Sequence, residues 1–135
     1  MRCFRWLVPG LLFCLFIGSE SSLAQNPADQ ITGVWVTAEK DGRVRISRHE
    51  DGKYYGKLIW TENKRGGDSL DRDINNPDPE KRDRTILGIT LLKGLAYKPE
   101  ENQWEGGKIY DPNKGKTYKC YAELVSPDKL KIRGY

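Results

Sequence analysis

Histidine and methionine occur once each in the 135 residues, and cysteine three times. His49 alone cannot build a histidine-rich metal centre. A zinc site or a Cys–His pair would need a partner beyond Cys120, and no such partner is present. Beside the Asp51-Gly52 turn, His49 reads as a solvated loop residue. No block of five like charges occurs, although Lys plus Arg outnumber Asp plus Glu by 23 to 19. A modest, dispersed positive charge favours solubility and does not indicate nucleic acid. No run reaches the roughly 20 apolar residues that a spanning helix needs. Nor does any segment of about 12 residues carry an apolar face at helical spacing. With 37% hydrophobic and 31% charged residues, one globular domain is expected.

The first 24 residues read as an address. Arg2 and Arg5 precede an uncharged, mostly apolar run, Trp6 to Gly18, and the small and polar stretch Ser19 to Ala24 follows. A basic start, an apolar run of about 7–15 residues and a small-x-small exit describe a secretory signal peptide. Cleavage is expected after Ala24, leaving Gln25 first and a periplasmic or secreted product. Loss of Arg2, Arg5 and Glu20 takes the net charge from +4 to +3. Cys3 and Cys14 leave with the leader, so the exported domain has Cys120 alone and depends on its core rather than on a disulfide. Cys120 reads as a small buried hydrophobe.

From Gln30 onward the period is two. Gly33 to Thr37 reads as a strand, then Val44 and Ile46 alternate with Arg43, Arg45 and Ser47. Asp51-Gly52 suits a tight hairpin because glycine accepts the positive φ required there. Tyr54, Leu58 and Trp60 then share one face. Trp104 to Tyr110 forms another strand, in which Gly106-Gly107 marks a bulge or a bend. Tyr118, Cys120, Ala122 and Leu124 face one way, and Leu130 and Ile132 continue that buried side. Ile86 to Leu95 reads as a buried strand, with a short helix as the alternative. Thr61 to Thr85 reads as a surface loop with room for one helical turn. The expectation is an all-β, antiparallel up-and-down barrel, preferred over a sandwich.

Candidate chemistry is sparse. Asp71-Arg72-Asp73 begins like a calcium loop, but Asn76 replaces the required glycine and Arg82 the bidentate Glu. No metal or cofactor is expected. Trp35, Trp60 and Trp104 are first of all core residues. With Tyr54 and Tyr118 they are also the candidates for lining a ligand cavity.

Gly33-Val34-Trp35 is similar to the G-x-W signature of lipocalins and related barrels. Further stretches follow in order: Gly56-Lys57-Leu58-Ile59-Trp60, Asn76-Pro77-Asp78-Pro79, Gly88-Ile89 through Leu92-Lys93-Gly94, Trp104 through Pro112, Gly115 through Tyr118, and Leu130 through Tyr135. Together they resemble the DUF2147 family, exported bacterial proteins of unknown function with a lipocalin-like barrel. The resemblance covers about Ile31 to Tyr135. It implies fold and export, and no reaction that could be placed residue by residue. It also implies a cysteine where Tyr55 stands, pairing with the one at Cys120, which this chain cannot do. It further implies a strand beyond Tyr135, without which the barrel would stay open at its last strand. Gly33 and Arg133 are structural candidates, Arg133 as the cation over the Trp35 ring.

Three function classes remain in view. The first is a binding module for a small, partly apolar ligand. The second is an envelope structural or interaction protein acting through the 61–85 loop, with Asp68, Asp71, Asp73, Arg82 and Arg84 as its contacts. An enzyme is third, since neither a nucleophile–base pair nor a metal set is present.

Overall fold

The computed structural model describes residues 26–62 and 72–135. The leader expected at 1–24, and the candidates Asp68 and Asp71, lie outside the described residues. Seven strands follow one another: β1 (Gly33–Val36), β2 (Gly42–Arg48), β3 (Tyr54–Thr61), β4 (Thr90–Lys98), β5 (Gln103–Asp111), β6 (Lys116–Ser126) and β7 (Lys129–Gly134). Each pairs antiparallel with the next, so the sheet order is the chain order. This is the all-β meander that the alternation implies. The sheet curls into a half-barrel: β1 and β7 are not paired with each other among the described residues, yet side chains from both line one interior cavity.

A short 3-10 helix, Pro27–Ile31, packs on the inner face. The Asn26 side chain caps it by accepting from the Ala28 amide. Two long-range bonds and one local bond hold it in place: the Trp104 indole donates to the Ala28 carbonyl and the Tyr54 hydroxyl to Asp29, while the Trp35 indole, four residues on, donates to the Ile31 carbonyl. Around this helix lies the core of Ile31, Ile46, Tyr54, Leu92, Leu95, Trp104, Cys120 and Ala122. Trp104 is fully buried with its one polar atom paired, so its truncation to alanine is of the class that costs about 3–5 kcal/mol.

Two irregularities redirect side chains. In β3, Arg43 pairs with Trp60 but Val44 pairs with Leu58, so Ile59 is an extra residue. Because side chains alternate, one extra residue reverses their sense. Leu58 points in and Trp60 points out, 41% exposed. That corrects the expectation that Tyr54, Leu58 and Trp60 share a face. In β5 the register shifts between Trp104 and Gly107, with Gly106 at φ 75°. The Gly-Gly doublet is therefore the bulge that the sequence suggests.

Ile86 to Leu95 is corrected as well. Gly88, at φ 92°, breaks the run. Ile86 to Ile89 form a turn tied to Leu58, whose amide donates to the Ile89 carbonyl and whose carbonyl accepts from the Gly88 amide. The strand starts at Thr90 and continues to Lys98. The 61–85 segment does hold one helical turn, Pro79–Lys81.

Candidate functional site

Inside the curled sheet the side chains leave a cavity of about 450 Å³. Trp35 and Val36 of β1, Val44 and Ile46 of β2, Leu92 of β4, Ile109 of β5, and Leu130 and Ile132 of β7 make its apolar walls. Thr37, Asp128 and Lys129 add polar groups. The walls follow from strand parity: Val44 and Ile46 sit two apart, as do Leu130 and Ile132, so each pair faces the same side. The volume lies within the roughly 300–1,000 Å³ of small-molecule sites.

The aromatic candidates separate into four situations. Trp35 lines this cavity, half-buried, with its indole directed at Ile31. Tyr118 lines a shallow depression with Ile109, Lys114 and Gly134. Tyr54 and Trp104 are fully buried in the core, filling the interior rather than facing a ligand. Trp60 lies on the outside under the Arg43 guanidinium, 5.0 Å from the ring centroid. Burial and the bond to Asp29 push the Tyr54 phenol up to about 12, so it remains a donor. Gly33 opens β1 at φ 125°. Arg133 is exposed and pairs in register with Tyr121, while Ile132 beside it points inward. It makes no ring contact with Trp35 among the described residues, so the expected stacking is corrected by parity. The residues missed as lining candidates, Leu130 and Ile132 above all, carried a signal in their alternation, but alternation marks a buried face without separating core from cavity wall.

Asp73 is fully buried, which corrects its reading as a surface contact. Tyr110 donates to one carboxylate oxygen; Asn76 and Arg84 donate to the other at 2.7 and 3.0 Å. Burial pushes its carboxyl up, but those hydrogen bonds and the Arg84 charge outweigh that and hold it below 3.8. Tyr110, buried and bonded to Asp73, is pushed up to about 12. Arg84 spends its charge on Asp73 at 2.9 Å. Arg82 is exposed and donates through Nε to the Asn76 carbonyl. The loop is thus fastened from within, and Asn75 adds a bond to the Asn113 carbonyl in the β5–β6 turn. His49 stacks on Tyr55 with centroids 4.1 Å apart. No group of His, Cys, Asp and Glu among the described residues could hold a metal ion. Burial pushes the Cys120 thiol up to about 11, the state of an inert core residue. No helix among the described residues is long and apolar enough to cross a membrane.

A family model described as "Uncharacterized protein conserved in bacteria (DUF2147)" matches residues 33–135. The chain belongs to this family. The DUF2147 match begins at Gly33 of the G-x-W strand and spans all seven strands. Among solved structures, the chain is similar to protein HP1028 from the human pathogen Helicobacter pylori, described as belonging to the lipocalin family. The two share 26% identity and a TM-score of 0.61, over 77% of this chain and 70% of that one. No curated protein matches the chain.

Proposed function

We propose that this DUF2147 protein is an exported barrel that binds one small, partly apolar molecule in the cavity beside Trp35. The observation that carries the reading is the cavity itself. Trp104, Tyr54 and Leu95 are packed without exposure around the 3-10 helix, whereas the aliphatics of β2 and β7 stand back around about 450 Å³. Apolar walls with a few polar groups suit a ligand that is mostly hydrocarbon with one polar end. The likeness to a lipocalin-family structure supports the same reading, since small barrels of that kind hold a single ligand. The basic, then apolar, then small-residue start of the chain supports export.

Titration with the neutral fluorescent probe N-phenylnaphthylamine tests the cavity. Emission should rise and saturate, and Ile132→Trp, which fills the cavity, should weaken binding by about tenfold or more with melting little changed. Probe binding that never saturates, or that the tryptophan leaves intact, sinks the proposal. Leu130→Trp serves as the second variant should the first unfold. Export is checked separately by intact mass on protein recovered from the cell envelope. A chain beginning at Gln25 supports it, and one retaining Met1 counts against it.

A further inference from the structure

The outer face of the sheet carries a feature that the interior cavity does not use. Lys93 of β4 pairs in register with Lys108 of β5, and Lys108 pairs in turn with Lys119 of β6. Directly opposed side chains stand about 4.5–5.5 Å apart at Cβ, and like charges so placed are destabilising. All three are exposed, and none makes an ion pair among the described residues. Elsewhere the same molecule places opposite charges across the sheet, as with Glu123 and Lys131 or Asp111 and Lys116. Arg45 and Lys57 form another like-charge pair, across β2 and β3, but among the described pairings the row of Lys93, Lys108 and Lys119 is the one that runs over three strands.

That row does not lie on an open plane. The segment that includes Asn76, Asp78, Lys81 and Arg84 rises beside it, enclosing a second cavity of about 450 Å³ floored by Lys93 and Lys108. Lys81 enters from this wall, and the hydroxyls of Thr90 and Thr117 line the site without a hydrogen bond to any described residue. Among the described residues Asp78 is the one carboxylate lining it, and its Oδ1 is occupied in accepting from the Glu80 amide. The wall is preformed because Asp73, Tyr110, Asn76 and Arg84 bond it to the sheet from beneath. Fixing a wall before binding removes much of the ordering cost that a ligand would otherwise meet.

We propose that this outer pocket is an anion site for a polar ligand bearing a phosphoryl group, held between Lys81 on the loop and Lys93 and Lys108 on the sheet. Three ammonium groups exceed what a single carboxylate neutralises, and lysine binds phosphate as a compact point charge. The neighbouring threonine hydroxyls supply donors for the remaining oxygens. The site is independent of the interior cavity, and either can fail without the other. Like-charge repulsion in the unliganded floor is relieved on binding, so the ligand stabilises the fold as well.

Inorganic pyrophosphate, titrated into isotope-labelled protein at constant ionic strength, is the direct probe. Amide shifts should saturate at Lys81, Lys93, Lys108 and Thr117. The double variant Lys93→Gln/Lys108→Gln should bind at least about tenfold more weakly, while Lys53→Gln, in the β2–β3 turn, should bind as the parent does. Because these lysines are exposed and repel one another, the variant is expected to melt no lower than the parent. Lys81→Gln, on the wall, is the second variant. Mixed phosphatidylcholine–phosphatidic acid vesicles, with pure phosphatidylcholine as control, identify the source. Displacement of pyrophosphate by the mixed vesicles assigns a lipid headgroup, and its persistence assigns a soluble phosphate ester; both support the site. Shifts that fail to saturate, that spread equally to Lys53 and Lys129, or that survive the double substitution would overturn it.

Discussion

Asp73 keeps its charge out of solvent because both of its carboxylate oxygens are answered, by Tyr110, Asn76 and Arg84. Two of these partners lie 37 and 11 positions away in sequence, so nothing local distinguishes Asp73 from the other acids of the loop. The loop's want of apolar residues was legible, but the polar side chain that anchors it was not. Since the carboxyl titrates lower in the folded chain than in the unfolded one, the unfolded state holds more protons as pH falls. The stabilisation is therefore present above the ordinary value of 3.8 and is lost as pH drops through the folded value. Asp73→Asn should cost about 2 kcal/mol at neutral pH, allowing for the partly exposed Arg84. The gap to the parent should narrow over the interval below 3.8. Urea melts across that interval check this, and two parallel curves would refute it.

At the scale of elements, bulges decide which residues face the interior. One extra residue in β3 sends Trp60 outward, and the bulge at Gly106 lets both Trp104 and Gly107 face in. A Cβ on Gly107 would stand 2.7 Å from Leu95 Cδ2 and 3.2 Å from the Lys93 carbonyl. Gly107→Ala should therefore destabilise by about 1–3 kcal/mol through overpacking. Leu95→Val should return part of that loss in a double-mutant cycle. Additive single effects in thermal melts would show that the contact is not the cause. The Gly106-Gly107 doublet announced a bulge in advance, whereas the β3 shift had no such marker, because Ile59 is as good a strand residue as its neighbours.

For the whole molecule, the curled sheet leaves β1 and β7 each with one unpaired edge among the described residues. Strands β4, β5 and β6 are hydrogen-bonded on both sides and contribute Leu92, Leu95, Trp104, Cys120 and Ala122 to the core. Local opening draws on the least packed, most exposed ladders first. Amide exchange should be slowest in β4 to β6, with Trp104, Cys120 and Ala122 at its centre, and fastest at the outer edges of β1 and β7. Uniform protection across the seven strands would mean that the edges are covered in solution.

Alternating side chains and well-spaced turn residues were enough to specify an all-β meander, because a period of two can bury one face only as strand. The G-x-W start was legible for the same reason, as were the inward positions of Cys120 and Ala122, since all are properties of a strand and its immediate neighbours. Tertiary structure alone decided that Trp104 is core while Trp35 lines a cavity, that Trp60 faces out, that Asp73 anchors a loop, and that Lys93, Lys108 and Lys119 stand in one row. Each of these depends on register between strands, and register is set by bulges and by packing across the sheet, over separations at which sequence spacing carries no distance information.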